Sequence, residues 1–219
     1  MRRKALLTLA AAAGIIALAM RIWSVNANAF EYPVEVSGLN EEVELKGAFA
    51  EYAYENTDGY SVRVTAARRM SIAEYIDAYS LDKDAAQVYR SGVGDVTDDN
   101  AKTFIVLDIE MANKKAEGSE RGYLDSIGWS IKSADHPESW IRAESGLLGT
   151  SIPQANGAYQ MSIRPQSSYV LHVPFVETGC EPSFPARDGE VICPELGAGD
   201  YEFVITKAPV RKVVAFSVE

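Results

Sequence analysis

Apolar and polar residues alternate along most of the chain after residue 30, and this period of two is typical of β-strands with one buried face. Tyr60, Val62 and Val64 share one face of such a segment. Ile105, Leu107, Ile109 and Met111 share one face of another. The other predicted strands lie within residues 32–46, 50–54, 126–133, 139–144, 159–163, 169–175, 201–206 and 213–218.

One segment of the body has helical spacing instead. Ile72, Tyr75, Ile76 and Tyr79 recur on one face, and Ser71 with Glu74 forms a capping box, so a helix is predicted over 70–80. Before it, Asn56-Thr57-Asp58-Gly59 has the chemistry of a hairpin turn between the segments 50–54 and 60–64. A calcium loop was the alternative there, but the spacing does not fit that motif.

About nine short strands and one short helix predict an all-β fold, an immunoglobulin-like antiparallel β-sandwich. The Cys-Trp-Cys framework of antibody domains is absent from the sequence, because both cysteines come late and close together. The pattern therefore predicts the architecture alone.

The N-terminus carries a targeting signal. Arg2, Arg3 and Lys4 precede an apolar run from Ala5 to Met20, which as a helix spans roughly 24 Å. Two interpretations remain: cleavage after Ala29, which leaves Phe30 first, or an uncleaved membrane anchor extended through Val25. In both, residues 1–29 form a signal peptide or anchor with its stalk, and 30–219 form an exported domain.

The charge excludes one class of partner. The formal net charge is −10. Residues 1–29 hold four basic and no acidic side chains, so the remaining chain carries 17 basic against 31 acidic ones, a net of −14. A domain this acidic is repelled by phosphate backbones, and no nucleic-acid partner is expected.

The two cysteines, Cys180 and Cys193, flank a loop that contains two prolines. In an exported protein this spacing favours a disulfide, worth roughly 3 kcal/mol in the chain-entropy model. A metal site that also used His136 and His172 is the alternative. Zinc ligands usually come in close pairs, which this sequence lacks.

Catalytic motifs are sparse. The sequence has no nucleophile elbow, phosphate-binding loop, dinucleotide fingerprint or metalloprotease motif, and no cofactor is expected. Ser80 to Lys83 matches the S-x-x-K motif without its companion motifs. A carboxylate-dependent hydrolase stays open, because acids are abundant. Asp95, Asp98 and Asp99 are candidate cation ligands, although a solvated cluster of charges is the usual outcome for such a pattern.

Several stretches resemble one family when taken in order: "RIWSVN" after the apolar run, "ENTDGYSVRV", "MSIAEYI", "YVLHVPF" and "PVRKVV". They are similar to domain of unknown function 5028, an uncharacterised family of exported proteins from Gram-positive bacteria. The resemblance implies a membrane-tethered extracellular sandwich. It implies no activity and no site residues, and it favours the uncleaved N-terminus.

The function expected from these observations is a non-catalytic extracytoplasmic domain that binds envelope or host proteins, as an adhesion-type module at the cell surface. A glycan-binding module is the alternative, with Trp140 or the tyrosines as stacking platforms. Trp129, in an alternating segment, is expected in the core.

Overall fold

The computed structural model describes residues 14–22, 24, 32–81, 84, 103–137, 139–152, 160–182 and 196–219, with residues 103 and 177–182 described by their backbone alone. The chain divides into two compact units, Met1–Tyr32 and Pro33–Glu219. In the first unit, residues 14–22 are helical. Among the described residues, no helix has the length and apolar character needed to cross a membrane.

The second unit is mostly β-structure, as the alternating pattern predicts. Its described helices are α1 (Ile72–Tyr79), α2 (Ser145–Ser151) and a 3₁₀ turn (Ser126–Gly128). Its described strands are β1 (Val34–Ser37), β2 (Glu42–Glu44), β3 (Tyr60–Ser71), β4 (Thr103–Asn113), β5 (Leu124–Asp125), β6 (Ser130–Ser133), β7 (Ser139–Ala143), β8 (Gln160–Met161), β9 (Ser167–Pro182), β10 (Gly199–Thr206) and β11 (Arg211–Val218).

Nine strands form one continuous sheet in the order β1-β11-β10-β6-β7-β9-β4-β3-β2, and β5 pairs with β8 separately. All neighbours in the large sheet are antiparallel except β1 and β11, which run parallel with Val34 opposite Arg211. The first and last strands of the unit are therefore neighbours.

The sheet curls around the larger of two hydrophobic cores, which makes it barrel-like. Every one of its strands except β1 contributes side chains to that core, among them the buried Val62, Ile109, Ile141 and Phe203. An isolated bridge between Phe49, after β2, and Ala208, after β10, joins distant parts of the sheet. The immunoglobulin-like sandwich is not confirmed, since the strands form one continuous sheet.

A smaller core lies on the outer face of β4 and β9. Ile72, Tyr75 and Ile76 of α1 pack there with Phe104 and Val106 of β4. The predicted capping box is confirmed: the Glu74 backbone N–H donates to the Ser71 hydroxyl, and the Ser71 backbone N–H donates to the Glu74 carboxylate. The helix thus begins where the sequence predicts.

The strand predicted over residues 50–54 is wrong, because these residues form turns. The backbone N–H groups of Ala50, Glu51 and Tyr52 donate to the carboxylate of Glu55 and so are not available to a sheet partner. Residues 57–60 do form a turn that leads into β3, with Gly59 at φ +76°, but the predicted hairpin with 50–54 is absent, because β3 pairs with β2 instead. Residues 126–128 form the 3₁₀ turn, so only the second half of 126–133 is a strand.

Candidate functional site

Three tyrosines from two parts of the chain form a cluster at the surface of the second unit. The rings of Tyr52 and Tyr54 stack with centroids 5.0 Å apart and planes 6° apart, and the ring of Tyr123 lies 6.2 Å from Tyr54 at 41°. The side chain of Tyr54 is 62% exposed and that of Tyr52 is 39% exposed. We call Tyr52, Tyr54 and Tyr123 the tyrosine surface.

A buried carboxylate holds this surface in place. Glu55 is buried, and its two oxygens accept hydrogen bonds from four backbone N–H groups, those of Ala50, Glu51, Tyr52 and Asp125. Four donors from two chain segments therefore converge on one side chain, and such charge-assisted hydrogen bonds are the strong ones. The bridge between Asn56 and Tyr123, with the Tyr123 hydroxyl donating to the Tyr54 carbonyl, completes the support.

The phenols of Tyr54 and Tyr123 keep their protons. The pKa of Tyr54 is raised above its ordinary value, first by partial desolvation and then by the negative charge that Tyr52, Asp125 and Glu55 would place beside a phenolate. Desolvation likewise raises the pKa of Tyr123. Both groups are neutral at physiological pH and can donate or accept hydrogen bonds.

Trp140, the platform expected from the sequence, lies half-buried in β7 among cations. Lys132 Nζ lies 5.2 Å from its ring centroid, Lys207 Nζ 5.8 Å and Arg211 Cζ 5.7 Å. These distances are within the range of cation–π interactions. The Trp140 ring is therefore in contact with side chains of the protein itself. We call Trp140, Lys132, Lys207 and Arg211 the Trp140 cluster.

Two nitrogen atoms of the Trp140 cluster lack acceptors among the described residues. Trp140 Nε1 and Arg211 Nε are buried and have no hydrogen-bond partner among the described residues, and the same holds for the Ser130 hydroxyl. Ser130 lies two residues before Lys132 in β6 and so shares its face. An acid also contacts the cluster: Glu51 accepts a 2.5 Å hydrogen bond from Lys207.

A groove of 550 Å³ opens beside Lys132, across β6, β10 and β11. Asp200 and Glu202 line it from one face of β10, two residues apart, together with Tyr201 and Phe216. Both carboxylates are on exposed residues, and Asp200 accepts a 2.6 Å hydrogen bond from the Ser217 hydroxyl.

The two histidines lie apart. His136 is exposed in the turn between β6 and β7. His172 is half-buried on the outer face of β9, with Nδ1 2.6 Å from Asp108 Oδ1 and its ring stacked on Tyr79 at 4.0 Å. The guanidinium of Arg68 also bonds Asp108. An Asp–His pair exists, but no hydroxyl or thiol of a described residue bonds the His172 ring, so no triad is assembled there.

Several residues singled out in the sequence lie outside the described residues: Ala29, Phe30, Asp95, Asp98, Asp99 and Cys193. Cys180 is described by its backbone, which pairs with Ile141 across β7 and β9, and its side chain is outside. The disulfide, the cleavage site and the cation ligands stay predictions. Among the described residues, no group of three His, Cys, Asp or Glu could hold a metal ion. Trp129 lies fully buried in the core, as its alternating segment predicts.

A comparison with protein-family models identifies the family. The model described as "Domain of unknown function (DUF5028)" matches residues 34–212, from the first residue of β1 to the second of β11. The chain belongs to the DUF5028 family. No curated protein and no solved structure matches the chain. The DUF5028 match covers both the tyrosine surface and the Trp140 cluster, and it assigns an activity to neither.

Proposed function

We propose that this DUF5028 protein is a non-catalytic extracytoplasmic binding domain that recognises another protein at the cell surface. The tyrosine surface carries the proposal. Tyrosines are enriched in protein interfaces because each adds a large apolar area and a hydrogen-bonding hydroxyl with few rotatable bonds. Three of them in contact, two of them well exposed, form the kind of patch on which binding energy concentrates.

The support is rigid, which favours binding without a large ordering cost. Glu55 fixes the backbone of Tyr52 through a 2.7 Å hydrogen bond, and Tyr123 bonds the carbonyl of Tyr54. A preorganised surface loses little side-chain freedom when a partner binds, so more of the contact energy appears as affinity.

The geometry favours a protein over a glycan as the ligand. Sugar rings stack on open, flat aromatic faces, whereas Tyr54 has Tyr52 against one face and Tyr123 nearby at 41°. The ring of Trp140 is engaged by three cations. The outward face of Tyr52 is the part of the tyrosine surface on which a glycan could stack.

A matched pair of variants tests the protein-binding proposal. Tagged full-length chains carrying Tyr54→Ser or Tyr169→Ser are produced in a Gram-positive host and crosslinked on intact cells, and the captured proteins are compared with those of wild type. Tyr169 is 52% exposed and lies in β9, outside the tyrosine surface. We expect Tyr54→Ser to reduce capture of a specific protein at least tenfold and Tyr169→Ser to leave it within twofold.

Two other outcomes of these experiments would change the proposed contact surface or ligand. Equal capture by both variants would exclude the tyrosine surface as the contact. A glycan array on which wild type binds and Tyr52→Ser does not would establish the glycan-binding alternative.

A hydrolase is the second candidate, supported by the groove that holds Asp200 and Glu202. Glycosidases use two carboxylates flanking a sugar bond, and one of them needs a raised pKa to act as the acid. Release of sugar from envelope glycan by wild type, lost in Glu202→Gln and kept in the exposed-surface control Glu120→Gln, would establish this function.

Location is tested by fractionation. The proposal requires the second unit outside the cytoplasm, either tethered or released. The protein is recovered separately from membrane and medium, and its first residue is read. An intact N-terminus in the membrane fraction indicates a tethered domain, and Phe30 as the first residue in the medium indicates a released one. Recovery in the cytoplasm alone would overturn the proposal.

A further inference from the structure

The Trp140 cluster places three cations together on a domain whose overall charge is strongly negative. Lys132 comes from β6, Lys207 follows β10, and Arg211 begins β11, yet all three approach one indole ring within 5.8 Å. Glu51 accepts from Lys207, and Glu202 lies opposite Lys132 across β10 and β6, so the guanidinium of Arg211 contributes most to the attraction of an anion.

The hydrogen-bonding inventory of the cluster points the same way. Indole, guanidinium and ammonium groups only donate hydrogen bonds. Trp140 Nε1 and Arg211 Nε are both buried and have no acceptor among the described residues. Groups that satisfy several donors and neutralise cations at once are oxyanions, and the planar guanidinium of Arg211 matches the two oxygens of a phosphate or carboxylate.

We propose that the Trp140 cluster is a binding site for an oxyanion, a phosphate or carboxylate group. The Arg211 guanidinium and the two ammonium groups attract the anion. The indole N–H of Trp140 donates a hydrogen bond to the oxyanion when one of the lysine side chains near the ring turns aside. This site is separate from the tyrosine surface, so it stands whether or not that surface binds a protein.

The alternative is that the cations only cover the indole and stabilise the outer face of the sheet through cation–π contacts. Phosphate also stabilises folded proteins in general, because it is excluded from their surfaces. A test must therefore read the site itself and not only the stability of the protein.

The indole N–H of Trp140 provides that direct signal. Full-length ¹⁵N-labelled protein in uncharged detergent micelles is titrated with inorganic phosphate at constant ionic strength, and Trp140→Phe assigns the resonance. We expect a saturable shift of the Trp140 indole resonance in wild type, with the resonance of the buried Trp129 unmoved. Arg211→Gln should weaken phosphate binding at least tenfold, and Arg164→Gln, at an exposed arginine elsewhere, should change it less than twofold.

Two results would overturn the proposal. The first is a Trp140 indole resonance that does not move when phosphate is added. The second is a shift that does not saturate and has the same size in wild type and Arg211→Gln, which would indicate an adventitious ion only. If Arg211→Gln does not fold, Lys132→Gln takes its place, and the wild-type titration still decides. Glycerol phosphate and glucuronate, titrated separately, show whether the site prefers a phosphate or a carboxylate.

Discussion

At the scale of single residues, Glu55 has the largest influence on the tyrosine surface. Its carboxylate is the common acceptor for four backbone N–H groups, three in its own turn and one from Asp125 of β5. A glutamine in its place has only one acceptor oxygen. Its NH₂ group is a hydrogen-bond donor and would face the backbone N–H groups, which are also donors. The position therefore requires a carboxylate and not only a polar side chain.

We expect Glu55→Gln to lower the free energy of unfolding by about 3 kcal/mol, since buried donors lose a charged acceptor. Urea denaturation of the full-length protein measures the change. Glu117→Gln, on an exposed residue, is the control and should stay within about 0.5 kcal/mol of wild type. Similar values for the two variants would show that the loop is held by something other than this carboxylate.

Gly122 is a second residue whose type is fixed by its surroundings. Its φ is +70°, and a Cβ there would lie 2.4 Å from the carbonyl oxygen of Asn56, in the bridge that supports Tyr123. Gly118 has a similar φ of +83° but open space around its Cβ position. Substituting each glycine by alanine therefore distinguishes two effects. At Gly118 only the strain of a positive φ is added, whereas at Gly122 a steric clash is added as well.

Gly118→Ala should cost about 1 kcal/mol from the left-handed conformation alone. Gly122→Ala should cost at least 2 kcal/mol more, because the backbone of the bridge must move. Thermal melts and urea titrations of both variants give the comparison. Equal losses would mean that the bridge shifts at little cost.

At the scale of elements, helix α1 depends on its capping box. Ser71→Ala removes the hydroxyl that accepts from the Glu74 N–H and should cost about 1 kcal/mol. Amide exchange of α1 should rise while that of β10 stays as in wild type, which urea denaturation and exchange by mass spectrometry can both record. Unchanged exchange in α1 would contradict the assigned role of Ser71.

The same box gives a pH dependence. Hydrogen bonds from the Ser71 backbone and hydroxyl lower the pKa of Glu74 below its ordinary value. A carboxyl with a lowered folded-state pKa stabilises the fold above its unfolded pKa, about 4.3, and this contribution is lost as pH falls through the folded pKa. Wild type should therefore be more stable than Glu74→Gln at pH 7, with the difference shrinking below about pH 4. A difference that persists unchanged at pH 3 would contradict this origin.

The spacing of apolar residues and the burial of one face explain why some helices and strands can be predicted from the sequence. β3, β4, β10 and β11 have one face in the core, so alternation reveals them, and α1 shows both its apolar stripe and its cap. Apolar and polar residues alternate equally well over 50–54, but the backbone N–H groups of Ala50, Glu51 and Tyr52 donate to Glu55 instead of to a strand. The sequence does not distinguish Glu55 from the other acidic residues, of which there are 31 in all. The short α2 contains Gly146 and Gly149, which hide its helical character.

The candidate sites were beyond sequence reasoning for a different reason. Trp140 could be named from its residue type, but the cations around it come from two other strands and from the turn after β10. Which outer-face residues meet depends on strand order and register, which the alternation of one segment does not determine. The tyrosine surface likewise needs the contact between Tyr54 and Tyr123, which are far apart in the sequence.

At the scale of the whole molecule, β11 is indispensable although the family match ends at its second residue. It lies between β1 and β10, and Val214, Phe216 and Val218 fill the core. A chain that ends at Lys212 should lose cooperative unfolding and the near-UV circular dichroism of its buried aromatic residues, while a chain that lacks only Glu219 keeps both. A sharp melting transition in the shorter chain would show that β10 closes against β1 directly.

The parallel pairing of β1 with β11 also decides how the domain responds to mechanical load. Because the two strands run side by side in the same direction, the start of β1 and the end of β11 lie at opposite ends of the pair. A pull applied between these ends acts along the strands and shears their hydrogen bonds together instead of opening them one at a time. A domain held at Pro33 and loaded from its far end is thus built to resist extension.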